Sequence, residues 1–243
     1  MEEATRGSAE SRTVDAGRGI TWWSEAWTLF TKNAGMWIAL ALISCVIFVV
    51  LALLPVLGSL ATSLLAPVFA GGWLLAARKV ENGGALEVGD LFAGFKERLT
   101  PLLILGAVML AASLVIMVVA GALGIGAVMG LVVGGANQSV GGVLAAISTG
   151  MLALLVALTL GALAAMAIWF APALVVFRNV APVDALRASF SACMKNIVPF
   201  LLYSVIYIIA AIVATIPLGL GWLVLLPVLF LTDYVSYKDL FGE

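Results

Sequence analysis

The chain has 243 residues, 64% of them hydrophobic and 10% charged, with a mean hydropathy of +1.20. Soluble domains are only about half apolar, so this composition excludes them and leaves a polytopic helical membrane protein. The net charge of −1 excludes the basic field that nucleic-acid phosphates require.

Residues 1–19 (MEEATRGSAESRTVDAGRG) are small, polar and charged, too poor in apolar surface to offset chain ordering, and predict a disordered tail. The first apolar run starts only at Met36 and no small-residue cleavage site follows a short apolar core, so a retained signal anchor is expected rather than a cleaved leader. Met36 to Leu54 and Val56 to Ala77 each supply the roughly 20 helical residues that cross a hydrocarbon core of about 30 Å, with a turn at Pro55. From Pro101 to Phe177 no residue is charged. Its turn-like centre, Gly134-Gly-Ala-Asn-Gln-Ser-Val-Gly-Gly142, favours two long helices, with three spans or a re-entrant segment as the alternatives. Leu201 to Ile216 and Leu218 to Thr232 are shorter candidates that share a turn at Pro217.

Basic residues choose among these threadings. With six spans, Arg6, Arg12, Arg18 and Lys32, then Arg78, Lys79, Lys96 and Arg98, then Arg178, Arg187 and Lys195, and finally Lys238 all fall on one side. The turns at Pro55, Asn137 and Pro217 on the other side carry no charge. Basic loops stay cytoplasmic, so six spans with both termini in the cytoplasm are expected.

Asp184 to Phe200 interrupts the apolar runs with charges of both signs. On a helical wheel Leu186, Phe190, Cys193 and Ile197 share one face and Arg187, Ser191 and Lys195 the other. The same spacing recurs without gaps at Trp23, Trp27, Phe30 and Ala34, and at Val88, Phe92, Phe95 and Leu99, each before a span. Thr21 then stands at Asp184, both read as N-caps; Asn33 stands at Asn196, Trp37 at Phe200, and Pro101 at Pro199. In the middle copy Glu97 replaces Lys195. The expected fold is therefore all-α, a six-span membrane bundle of three parallel hairpin repeats (about 20–79, 80–178 and 181–241), each led by a cytoplasmic amphipathic helix, within one membrane domain, 20–243.

Several features carry potential chemistry. Trp22, Trp23, Trp27 and Phe30 form an aromatic face expected to sit at headgroup depth. Ala122, Gly126, Gly130 and Gly134, and Ala145, Thr149, Ala153, Ala157, Gly161 and Ala165, recur every fourth residue and are expected to pack the two middle helices together, with oligomerisation as the sharper alternative. Pro67 and Pro227 each precede a basic residue by the same interval and fall near mid-membrane, where a kink makes a hinge or a purely architectural bend. Pro182-Val-Asp184-Ala-Leu-Arg187 matches the Pro-x-acid-x-x-base pattern of mitochondrial carriers, but once and between spans, so Asp184 reads better as a cap. Asp233 is the most embedded charge, expected to pair with a base such as Arg178 or to reach interfacial water.

The chain has no His, and Cys45 and Cys193 have no partners at ligand or disulfide spacing. No catalytic, cofactor-binding or metal-binding residue is nominated, no cofactor is expected, and an enzyme is not expected.

Ala76-Ala-Arg-Lys79 followed by Val88-Gly-Asp-Leu-Phe-Ala-Gly-Phe95, Trp169-Phe-Ala-Pro-Ala-Leu174, Asp184 to Phe200 and Tyr234-Val-Ser-Tyr-Lys-Asp-Leu-Phe241 resemble a family of proteobacterial inner-membrane proteins with no assigned activity. The resemblance covers nearly everything after Gly19 and implies the fold, the location and a bacterial source. The functional expectation is a non-catalytic lipid-organising or scaffold protein, with a transporter or exporter of a small neutral or amphiphilic solute as the alternative. Expected partners are membrane lipids, no nucleic acid, and either a second copy or another membrane protein.

Overall fold

The computed structural model describes residues 10–137 and 139–242. All regular structure among them is helical: α1 (Arg18–Lys32), α2 (Ala34–Ala52), α3 (Pro55–Glu81), a 3₁₀ turn (Val88–Phe92), α4 (Ala93–Glu97), α5 (Leu99–Ala136), α6 (Val140–Ile168), α7 (Ala171–Arg178), α8 (Pro182–Lys195), α9 (Ile197–Thr215) and α10 (Trp222–Phe241). Among the described residues five helical stretches are long and apolar enough to cross a membrane: α2, α3, α5, Val140–Arg178 and α9. The expected sixth, from Leu218, begins late. Leu218 and Gly219 take positive φ (53° and 82°) in the turn after α9, so α10 starts at Trp222 and soon reaches Asp233. The long middle stretch forms the two long helices α5 and α6 and, after a break at Trp169-Phe170, the short α7. The expected disordered tail also ends earlier than residue 19: Ser11–Val14 are hydrogen-bonded to the body and α1 starts at Arg18. Residues 1–9, with Arg6, lie outside the described residues.

The chain divides into two compact units, residues 1–107 with 166–243, and residues 108–165. In the first, α10 is ringed by α1, α2, α3 and α9. Trp37 of α2, Trp73 of α3 and Phe230 of α10 stack in series, with centroids 5.7 and 5.0 Å apart and planes within 13°. Pro67 and Pro227 are buried inside α3 and α10, which continue through them.

Each amphipathic lead segment meets its span at one irregular residue. Asn33 (φ −145°, ψ 43°), Arg98 (−143°, 36°) and Asn196 (−123°, 36°) leave the helical region in nearly the same way. Each carbonyl then accepts a bond from the amide four residues on, at Trp37, Leu102 and Phe200. Aligned on these residues, Ala26, Leu91 and Ser189 coincide and all are fully buried, as do Leu40, Leu105 and Tyr203. The buried stripe differs from the expected one. In α1 it is Trp22, Ala26, Leu29 and Phe30, and in α8 the equivalent Ala185, Ser189, Ala192 and Cys193. Large apolar residues mark a face on a helical wheel, whereas small ones sit where helices approach closest, so the true contact line lies about one residue round from the expected Trp23-Trp27 line. The caps move as well: Thr21 and Asp184 lie within the first turns of helices that begin at Arg18 and Pro182, without side-chain cap bonds. Pro182 suits such a start, since its missing N–H is one the helix does not use. The middle lead is a 3₁₀ turn and a short helix, because Gly94 lets it press on α3, where a Cβ would stand 2.1 Å from the Val68 carbonyl oxygen.

The second unit is the apolar hairpin made by the far parts of α5 and α6. A Cβ on Gly130 would lie 3.0 Å from that of Ala146, and one on Gly134 would lie 2.8 Å from Gly142 backbone. The least exposed positions run Ala120, Leu123, Ala127, Gly130, Gly134 on α5 and Gly142, Ala146, Thr149, Ala153, Val156 on α6. The expected small-residue packing is therefore present at Gly126, Gly130, Gly134, Thr149 and Ala153, but Ala122, Ala145 and Ala165 are exposed. Strict fourfold spacing drifts about 40° per step round an α-helix, and a seam between two helices instead alternates threes and fours.

Candidate functional site

The polar residues of the first unit converge at the C-terminal end of α10. Asp239 receives the Trp22 indole N–H at 2.9 Å and the Arg12 guanidinium at 2.9 Å, and pairs with Arg18. Arg18 also meets Glu25 at 2.9 Å. On the neighbouring turn Glu81, from the end of α3, accepts from Lys238 and from the Tyr234 hydroxyl, both at 2.7 Å. These groups line a cleft of about 200 Å³, bordered by Arg12, Arg18, Glu25, Glu81, Val235, Lys238 and Asp239. Partial burial works to raise the Asp239 pKa, but the bonds from Trp22 and Arg18, the charge of Arg18 and the bond from Arg12 outweigh it, and the carboxyl lies below its ordinary range. Cations and carboxylates of the lining are matched, so the cleft has no strong net field; it joins α1, α3 and α10 and suits a zwitterionic or neutral polar group better than a bare anion.

A second polar knot lies beside it. Asn196 is 1% exposed. Its Oδ1 accepts the Val14 N–H at 2.9 Å, and its Nδ2 donates to the Arg12 and Ala192 carbonyls at 3.1 and 2.9 Å. The Arg12 N–H reaches the Leu240 carbonyl at 2.9 Å, and Lys195 bonds the Ser11 carbonyl at 3.3 Å. An extended strap, Ser11–Val14, is thereby laced across the kink between α8 and α9 and the end of α10.

The third feature is the interruption at Trp169-Phe170 between α6 and α7. The Ser189 hydroxyl of α8 accepts the Phe170 N–H at 2.9 Å and donates to the Met166 carbonyl at 2.7 Å. Those are the two groups an unbroken helix would join directly, so one hydroxyl bridges the gap, a recognised cause of helix kinks. Pro172, in the first turn of α7, cannot supply an amide to restore the ladder. Cys193, one turn further, reaches the same Met166 carbonyl with Sγ at 3.5 Å. Burial, and next the carboxyl of Asp233, push its thiol up to about 12, which removes it as a nucleophile at neutral pH.

Of the aromatic face, Trp22 is fully buried and Trp23 stacks on Tyr203 at 5.1 Å, while Trp27 is 50% exposed. The expected headgroup-depth face is thus mainly internal packing, leaving Trp27 and Ile20 outward. Asp233 Oδ1 is buried and has no hydrogen-bond partner among the described residues, whereas Arg178 donates to the Phe241 carbonyl. Asp184 and Arg187 face each other at 3.7 Å on the exposed side of α8, an ordinary surface pair. Sequence reasoning missed Glu81, Ser189 and Asp239. Asp239 and Glu81 carry a signal in hindsight, as carboxylates at the ends of apolar runs beside basic residues; Ser189 carries none.

These helices and their composition define a polytopic integral membrane protein. Residues 24–238 match the family model described as a domain of unknown function, DUF7847, and the chain belongs to that family. It is also similar to a probable inner membrane protein of Burkholderia thailandensis, 28% identical over 251 aligned residues that cover 94% of this chain and 93% of the relative. Family and relative agree with the inner-membrane family resemblance read from the sequence. No solved structure matches.

Proposed function

We propose that the protein is a non-catalytic scaffold or lipid-organising protein of the inner membrane, threaded six times as three parallel hairpin repeats with both termini cytoplasmic. The observation that carries this reading is the common kink at Asn33, Arg98 and Asn196, which gives three lead segments the same entry into three spans. A sixth crossing by α10 is supported by its 20 residues, about 30 Å at 1.5 Å each. Lys238 and Asp239 at its end are neutralised by Glu81, Arg18 and Arg12. Trp22, Trp37, Trp73, Phe170, Tyr234 and Tyr237, all nearly inaccessible, fill the first unit with side chains. That filling favours a scaffold over a pathway.

A second reading, transport of a small neutral or amphiphilic solute, is favoured by the Ser189-bridged break and by the buried unpaired oxygen of Asp233. Native mass spectrometry of the purified full chain separates the two: retained phospholipid supports the first and a retained solute the second. The threading is tested with Ser139→Cys in a background lacking Cys45 and Cys193. Labelling by an impermeant reagent from the periplasmic side is expected, and labelling only from the cytoplasm overturns six spans.

A further inference from the structure

We infer that the cleft joining α1, α3 and α10 binds a phospholipid headgroup in which a phosphate is linked to a primary ammonium, the phosphoethanolamine group. The inference rests on the lipid-organising reading and on the proposed threading, which sets the ends of α3 and α10 at headgroup height.

The first observation is unused bonding capacity of both signs. The lining holds three cations, Arg12, Arg18 and Lys238, and three carboxylates, Glu25, Glu81 and Asp239. Asp239 is fully engaged: Oδ2 accepts from Trp22 and Arg18, Oδ1 from Arg12, and its backbone carbonyl from the Arg12 Nε–H. Arg12 thereby uses Nε and Nη2, while Nη1 has no partner among the described residues. Its side chain is 60% exposed, so those donors are open to a ligand. Glu25 has the opposite surplus. A carboxylate offers about four acceptor positions, and Glu25 meets only Arg18, at 2.9 and 3.5 Å, the second too long to be strong. Oε1 of Glu81 accepts from Lys238 alone. Open donors on Arg12 and open acceptors on Glu25 and Glu81 therefore line one cleft, the complement of a group carrying both charges.

The second observation is what the lining excludes. No aromatic side chain borders the cleft. A quaternary ammonium has no N–H to give a carboxylate and is held by aromatic faces, so choline headgroups are disfavoured and a primary ammonium is preferred. A headgroup with a phosphate and no cation would meet Glu25 and Glu81 with nothing to offset their repulsion. Volume agrees. About 200 Å³ holds roughly six or seven waters at about 30 Å³ each, and lies below the roughly 300 Å³ at which sites for larger ligands begin. Phosphate on Arg12 and Arg18, with the ammonium on Glu25 and Glu81, uses the open positions without displacing Asp239 from Trp22.

The test uses the full chain, purified and delipidated, then offered equal amounts of phosphatidylethanolamine, phosphatidylcholine and phosphatidylglycerol with the same acyl chains. Native mass spectrometry is expected to show the ethanolamine lipid retained about tenfold better than either of the others. Glu25→Gln should abolish that preference and Glu25→Asp should restore part of it. Glu25 is half-exposed and its pair with Arg18 is of the surface kind, so the unfolding temperature should move little. Equal retention of the three lipids, or a preference indifferent to Glu25→Gln, overturns the inference. If phospholipid as a class is still retained in that case, the headgroup assignment alone has failed and the lipid-organising reading stands. Free phosphoethanolamine that competes at the same concentration as the lipid assigns the cleft to a soluble zwitterion and overturns the lipid as its source.

Discussion

The first and third lead segments bury equivalent positions and turn through the same kink, yet they do different work. Ala26 and Ser189 are both fully buried, but only Ser189 bridges a broken helix. Asn33 and Asn196 share backbone geometry, but Asn196 is fully enclosed and holds the strap, while Asn33 is only half-buried. Backbone shape follows from the local pattern of apolar residues and the following span. Hydrogen-bonding roles follow from whichever distant segment comes to lie alongside. Two segments of the same backbone form can thus differ in their polar duties.

The comparison breaks most visibly at the asparagines. Asn196→Ala leaves the Val14 N–H and Arg12 carbonyl without partners, and at about 1–3 kcal/mol for each stranded buried group it should lower unfolding stability in detergent by about 2–4 kcal/mol. Asn33→Ala should cost within about 0.5 kcal/mol, the usual range away from such networks. Equal losses would show that the two segments are not specialised. Next is the serine: Ser189→Ala is expected to cost about 1–3 kcal/mol through the exposed gap in the α6–α7 ladder. The reciprocal Ala26→Ser buries a hydroxyl at a tightly packed position and should also destabilise, by about 1–3 kcal/mol. Stabilisation by either change would overturn the bridging role. The smallest effect concerns acid. Asp239 titrates below its unfolded value of about 3.9, so its stabilisation is complete above that value and is lost as pH falls through the folded pKa. Hydrogen exchange at residues 11–14 should therefore accelerate below about pH 4, and Asp239→Asn should show the fast exchange already at neutral pH.

The helical class and most of the spans are legible in the chain because span length and charge are one-dimensional properties. Two of the three kinks fall at a pair the alignment already matches, Lys32-Asn33 with Lys195-Asn196, while the third, at Arg98, carries no such mark. The contact line on the lead helices lies about one residue from the expected one, since bulky Trp27 and Phe190 mark the apolar face while the small Ala26 and Ser189 are the fully buried positions. The late start of α10 was hidden because Leu218 belongs by composition to an apolar run but takes a left-handed turn conformation. The candidate site was nearly invisible. Arg12 and Asp239 are 227 residues apart, and Asn196 meets the strap across more than 180. No local spacing encodes such partners.

That separation governs how the molecule is made. The last contacts of the strap can close only once Asp239 and Leu240 have been synthesised, since Arg12 binds a carboxylate 227 residues further on and the carbonyl next to it. Contacts so remote in sequence carry the largest loop-closure cost and form late. Until then α1 lacks the Asp239 carboxylate that binds Trp22 and Arg18. The clasp therefore ties the first helix to the last: a chain truncated before Asp239 leaves its first helix unfastened and its strap open to proteases.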